Sequence, residues 1–506
     1  MNRSKRKAIV SVVALSVLAV GCSSGGESKS QPSSSSTPTA STSTTTSTPK
    51  NKSIRILSGY NAAVETFKGG ADVNNNPIIA LHREKSGYDA KFEVLPKDDA
   101  KQKISLILAS GDVPDWLPMY SKEDFFKLAR QGAFLPLDDL LKNAPNYQKL
   151  LTKEELDVGR VDGKLYAFPF PNTTTLTKGL LFRTDLLTEL NLKEPTTLDE
   201  YYQVFKTIKE KKGITPYTFA AGGPEDIDGS LGSIAGAFGV SSRTVVKNGK
   251  LEFAYTQPEF KEFVTYMKKL YDEGLIDKEF AVTKSSNLKE KLVAGQAASA
   301  DLAWWDAKTI ADALATKMPT AKTKYTALPV GASGKSGIIQ EAVTSRYSTI
   351  PKGAKNAEGV VEFINYLSSP EALKIQDYGI EGTDYKLDNG KPVQTIEQSN
   401  AIGWRILYQQ MDTKTNFQNR LVAKGFPPYY DPLVKNVQVK EETFYAPSID
   451  AYDKKLTELI TFKNENVVKF IMGARSLNEF DAFVKEFNSR GGTAAIDAMN
   501  EWFTKK

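Results

Sequence analysis

A break in composition at residue 51 decides how much of this chain can fold. Residues 23–51 hold 18 Ser or Thr among 29 residues and, Ala40 apart, nothing able to enter a core. Such a segment cannot offset its own ordering entropy and is expected to be a disordered tether, a coil of roughly 30 Å r.m.s. span. From Lys52 onward Leu, Ile, Val and Phe are plentiful, enough for a large buried core. The 506 residues allow roughly two to four folding units.

Residues 1–21 have the three-part plan of a secretory signal. Arg3, Lys5, Arg6 and Lys7 precede the apolar stretch Ala8 to Leu18, and small residues follow. The run Leu18-Ala19-Val20-Gly21-Cys22 resembles a bacterial lipobox, although Ala19 stands where Leu is commonest. That resemblance implies lipidation of Cys22 and a body held at the extracytoplasmic face of the cell membrane, since several acyl chains suffice for stable anchoring. No other apolar run approaches the ~20 residues of a membrane span, which excludes a polytopic membrane protein.

The net charge is +6, but the four basic residues before Ala8 supply most of it and leave +2 for the rest. A charge that small draws a protein neither to nucleic acid nor to anionic lipid. With one Cys and one His in the chain, Cys/His zinc sites, iron–sulfur clusters, Cys–His dyads and disulfide frameworks are excluded within one chain. His82 lies in the helix-like stretch Ala80–Lys85 and has no marked catalytic context. Gly334-Lys335-Ser336 copies the end of a P-loop but lacks its first Gly and any following helix pattern, so it reads as a turn. No cofactor or metal is expected, and no acid/base constellation marks an enzyme.

Strand and helix signals alternate through the body. Ile54 and Ile56 open a short strand, and Lys91–Leu95 reads as another, with a helix between them ending at Ser86-Gly87. Ile104, Ile107 and Leu108 sit on one helix face closed by Gly111, and Asp115-Trp116-Leu117-Pro118 reads as a short buried strand with Trp116 in the core. Thr197-Leu198-Asp199-Glu200 and Thr256-Gln257-Pro258-Glu259 read as capping boxes. Val360, Phe363, Ile364 and Leu367 form a stripe before Ser369-Pro370. The alternation argues for α/β layers.

The order of segments is itself informative. Ile104 to Trp116 is followed by Ala129-Arg130-Gln131-Gly132-Ala133-Phe134-Leu135-Pro136-Leu137-Asp138-Asp139-Leu140, then Val161-Asp162-Gly163-Lys164-Leu165-Tyr166-Ala167-Phe168-Pro169 and Gly179–Leu187. Val293–Ala298 leads to Trp304-Trp305, and Ile350-Pro351-Lys352-Gly353 precedes the striped helix. This ordered set resembles the family 1 extracellular solute-binding proteins of ABC importers. Tyr378–Tyr385 and the ending Asp481–Trp502 resemble the family's large lipoprotein subset. The resemblance implies a periplasmic-binding-protein-like α/β fold of two lobes joined by hinge crossings, with the ligand in the cleft. By this analogy one lobe is 52–168 plus 338–385 and the other 175–325 plus 390–506. The crossings fall at Phe168–Thr175 and Ala327–Ile339, both rich in Pro, Gly and Thr. Some alginate-binding relatives carry a calcium loop; the corresponding stretch Lys209–Pro216 lacks it, so no calcium is expected.

A sugar needs aromatic platforms for its C–H faces and amides, carboxylates or Arg for its hydroxyls. Candidates at predicted strand ends are Tyr60, Asn61, Met119, Tyr120, Trp304 and Trp305; period 2 turns at least one of the two Trp away from the core, and the resemblance favours Trp304 as the stacking one. Phe170 and Asn172 lie in the first crossing and Glu341 follows the later one. Trp404, Arg405, Tyr429 and Tyr430 are candidates from the last third. The leading expectation is a monomeric, lipid-anchored receptor that captures a carbohydrate, an oligosaccharide, and delivers it to ABC permease subunits. The same receptor with a peptide or other small solute, and a secreted carbohydrate-active enzyme, are the alternatives.

Overall fold

Ile54 and Ile56 form the strand that their alternation predicts, β1 (Ser53–Ser58), which pairs in parallel with β2 (Asp89–Val94). Between them runs α1 (Pro77–Ser86). Asn76 caps it by accepting the Ile79 N–H at 3.0 Å, and Gly87 ends it in the left-handed conformation, φ 69°. This computed structural model describes residues 52–505 except 97–99, 175, 223–226 and 228–229. The signal segment, Cys22 and the tether lie outside the described residues. No helix among the described residues is long and apolar enough to cross a membrane.

The first sheet continues from β1 through the bridge Ile56–Trp116 to β3 (Leu117–Met119). It then passes to β10 (Thr344–Thr349) and β4 (Ala167–Pro171), both contacts antiparallel. Period 2 sends alternate side chains to opposite faces. Ile54, Ile56 and Phe168 pack with α1 and with α6 (Ala357–Leu367), the striped helix, while Leu57, Leu117 and Tyr347 meet Ile104 of α2 (Ala100–Ser110) on the other face. Trp116 is buried, as expected.

The second sheet has the order β8 (Thr323–Tyr325), β5 (Lys178–Arg183), β7 (Ala297–Ala303), β6 (Thr215–Tyr217). Its core is strongly aromatic: the rings of Phe182, Phe205 and Tyr217 lie nearly parallel in succession, 6.4 and 6.0 Å apart. Phe205 comes from α3 (Leu198–Lys212), where the expected capping box forms. The Thr196 backbone and its neighbours hold the Glu200 carboxyl down at about 2 by hydrogen bonding. The second expected box does not form. A 3-10 turn absorbs Thr256, whose hydroxyl donates to the Phe253 carbonyl instead, and α4 (Pro258–Asp272) begins behind Gln257 with no side-chain cap.

The cores differ from the expected division: Ile338, expected in the first lobe, enters the second core, Tyr445 packs against the core of Leu57 and Leu117, and one longer stretch changes sides. Ile402, Trp404, Leu407, Tyr408 and Met411 belong to the core around Ile56 and Phe92, although the sequence reading put 390–506 in the second lobe. Leu433 is the next residue to enter the second core. The connecting segments are laced together: Asn172 donates its backbone N–H to Val343 O and its amide to Ala342 O, at 2.9 and 2.7 Å. Strand β9 (Ile338–Ile339) in turn pairs in parallel with β11 (Gln438–Val439).

Candidate functional site

The topology turns one edge of each sheet toward the other. β1, β3 and β4 run in one direction, and β4 leaves its lobe at Pro171, so their carboxyl ends face the second lobe together with the start of the antiparallel β10. β5 enters the second lobe at Lys178, so its start, the ends of β6 and β7 and the end of β8 face the first. Ligands in open α/β sheets bind at such carboxyl ends.

Where the connecting segments meet the second edge lies an open groove of about 410 Å³ lined by Asn172, Thr177, Lys178, Trp304, Trp305 and Glu341 among others. Its floor is polar and already paired. The Thr177 hydroxyl donates to Glu341 Oε1 at 2.7 Å, with Lys178 Nζ 3.8 Å from the same oxygen. Asp412 and Arg420 form a two-pronged pair at 2.6 and 2.8 Å, and the Asp412 carbonyl accepts the Thr173 hydroxyl. Lys178 and Glu341 also border a recess of about 170 Å³ that runs into the second lobe past Arg243, Tyr255, Phe444 and Lys463.

The two Trp open helix α5 (Trp304–Lys317) directly after β7. Their environments differ. Trp304 meets Trp305, Phe417, Phe426 and Tyr430 edge-on, at centroid distances of 5.1–5.8 Å. Phe417 comes from α7 (Lys414–Ala423). Trp305 is 46% exposed. Both border the groove, but the free indole face belongs to Trp305, whereas the resemblance pointed to Trp304.

On the first-lobe edge Tyr120 is 48% exposed, and its hydroxyl lies so near Gly59 that a Cβ there would sit 2.1 Å from it. A side chain at 59 would displace the phenol. Phe170 is half-buried under the guanidinium of Arg346, 4.4 Å from ring centroid to Cζ. Tyr60 hydrogen-bonds Glu65 at 2.5 Å, and exposed Asn61 caps the turn Ala62–Thr66.

Other expected residues lie away from the groove. Met119 is buried beneath the sheet, paired with Tyr347. Trp404 stacks on Phe67 at 4.8 Å inside the first core. Arg405, 1% exposed, donates to the carbonyls of Gln376, Asp377, Ser399 and Ile402; burial lowers its pKa to about 10. Tyr430 is buried behind Trp304, and Tyr429 packs half-buried against the second core. Sequence reasoning missed Thr177, Lys178 and Arg346. A polar Thr-Lys at a strand start and an Arg inside Thr-Ser-Arg-Tyr-Ser-Thr carry no local signal of a groove.

Two of the buried titratable groups, one from each lobe, respond to burial in opposite directions. His82 in α1 is fully buried, with Nδ1 3.1 Å from the Tyr366 hydroxyl, and burial lowers its pKa to about 4. Asp301 in β7 accepts the Ser233 N–H at 2.8 Å, and burial raises it to about 6.

Two α/β lobes with facing sheet edges and a groove between them define a two-domain solute-binding fold. The chain belongs to the bacterial extracellular solute-binding protein family, whose model matches residues 58–374. The family consists of substrate-binding proteins rather than enzymes. Over 85% of this chain and 89% of its own length, Lipoprotein LipO of Bacillus subtilis is 25% identical. The polygalacturonan/rhamnogalacturonan-binding protein YtcQ of the same organism is 24% identical over 81% of this chain and 84% of its own. The fructooligosaccharide ABC transporter substrate-binding protein FusA of Streptococcus pneumoniae is 26% identical over 41% of this chain and 43% of its own. The solved structure of FusA with kestose superposes with a TM-score of 0.64 at 18% identity, covering 90% of this chain and 99% of that one.

Proposed function

We propose that this protein captures an oligosaccharide in the groove between its lobes and delivers it to an ABC importer. The observation that carries the reading is the exposed Trp305 face set beside the polar floor of Asn172, Thr177, Lys178 and Glu341. An indole covers the C–H face of a sugar ring while amide, hydroxyl and carboxylate groups take its hydroxyls. The relatives supply independent support, since YtcQ and FusA are named for carbohydrates.

The mechanism is hinge closure about the segments near 171–177, 338–343 and 412–433. Ligand contacts to both edges favour the closed form by as much as its affinity exceeds that of the open form. Trp305, Tyr120, Phe170, Asn172 and Glu341 contact the ligand, Trp304 supports Trp305, and the permease recognises the closed shape. The protein works as a monomer held to the membrane through lipidated Cys22. Replacing Cys22 by Ser is expected to release it from the membrane fraction with ligand binding intact.

Thermal-shift screening of the full chain against oligosaccharides tests the reading. A true ligand at 100 times its Kd adds about 2.7 kcal/mol. A response to peptides alone, or release of reducing ends from a polysaccharide, would replace this function with another.

A further inference from the structure

Among the described residues, the guanidinium of Arg346 on the first-lobe edge meets no carboxylate. Nη2 donates to Gln409 O at 2.7 Å and to Gln410 Oε1 at 3.2 Å, Nε is buried without an acceptor, and no Asp or Glu among the described residues lies within 4 Å. The plane rests on Phe170, and the Tyr120 hydroxyl lies beside it. Arg420, which lines the groove, is by contrast paired with Asp412 through both guanidinium nitrogens.

An unpaired cation held partly out of water is costly, and closing a neutral ligand over it raises that cost. A carboxylate removes it, because planar N–H donors on a fixed guanidinium match carboxylate oxygens better than any other side chain does. The Tyr120 hydroxyl supplies a second donor on the same edge. We infer that the oligosaccharide is acidic and that Arg346, stacked on Phe170, receives a uronic-acid carboxylate. The inference rests on the carbohydrate reading above and narrows it.

The test titrates the purified full chain with oligogalacturonates, oligomannuronates and oligoguluronates of three to six residues. Each is paired with its carboxyl-reduced counterpart, and neutral fructo-, malto- and galacto-oligosaccharides complete the set. The expected result is an acidic member that binds at least 10-fold tighter than its reduced twin. That advantage should shrink as salt rises, fall within 3-fold in Arg346→Gln, and be partly restored in Arg346→Lys. If Arg346→Gln fails to fold, the acid-to-reduced ratio of the unaltered chain and its salt dependence decide. A neutral sugar bound best, or an acid preference that Arg346→Gln leaves untouched, overturns the carboxylate assignment and leaves the sugar reading standing. No binding by any member of either set removes both.

Discussion

The two edges that face each other are built from different materials. The first lobe presents a guanidinium on a phenyl ring and a phenol, the guanidinium tied by hydrogen bonds to the Gln409 carbonyl and the Gln410 side-chain amide oxygen. The second presents an indole, Trp305, resting on Trp304 and through it on three more rings. The first edge thus carries a guanidinium and a phenol, and the second an indole platform beside the polar floor of Thr177, Lys178 and Glu341. Two adjacent Trp divide the work on the second edge: one is anchored in packing and the other is open.

The sharpest way to break this comparison is Trp304→Ala. Removing the centre of the ring cluster is expected to cost about 3–5 kcal/mol in denaturant unfolding. Trp305→Ala should stay within about 1 kcal/mol of the parent, as surface substitutions do. Equal losses would mean that the two indoles share one role.

Next in size is an opposition in pH response. His82 stays neutral when folded but protonates near 6.5 when unfolded, so its contribution is present above about pH 6.5 and is lost as pH falls toward 4, about 3 kcal/mol in all. Asp301 ionises near 3.8 when unfolded and about 6 when folded, so its contribution is present below about pH 3.8 and lost as pH rises toward 6, also about 3 kcal/mol. The two nearly cancel across the same window. Urea titrations from pH 4 to 7 should show stability climbing more steeply with pH in Asp301→Asn and more shallowly in His82→Phe. Parallel curves would refute buried titration in both lobes.

Smaller effects sharpen the contrast. Trp305→Ala is expected to weaken oligosaccharide binding by about 1–2 kcal/mol, roughly 5- to 30-fold by calorimetry, from lost apolar burial. An unchanged Kd would move the platform elsewhere. Thr197→Ala, in the same lobe but away from the groove, should cost about 1 kcal/mol of stability through its lost cap and leave the Kd alone.

What could be read in the sequence was what local chemistry determines. β1, β2, α1 and the box at Thr197 follow from alternation, a C-terminal Gly and a Thr-to-Glu spacing, none of which needs a distant partner. Trp404 and Arg405 were misplaced because their burial depends on Phe67 and on the carbonyls of Gln376 and Asp377, which a short irregular turn brings near. The box at Thr256 failed through a one-residue shift created by the preceding turn. Trp304 and Trp305 could be found as a pair but not told apart, because Phe417 and Phe426, more than a hundred residues later, decide which one is enclosed. Arg346 gave no signal at all: the missing counterion is a property of the assembled edge.

The lacing of Asn172 to Ala342 and Val343 holds two of the segments that join the lobes side by side, and the start of the second is held by the pairing of Ile338–Ile339 with Gln438–Val439. Separate strands would swivel independently about their own bonds, whereas hydrogen-bonded neighbours flex across their common plane and resist shear along it. By that argument the joint is expected to act like a door leaf rather than a ball and socket. In the closure proposed above, travel confined to little more than one angle would forfeit few orientations as the lobes meet and leave contact free energy at the two edges to set affinity.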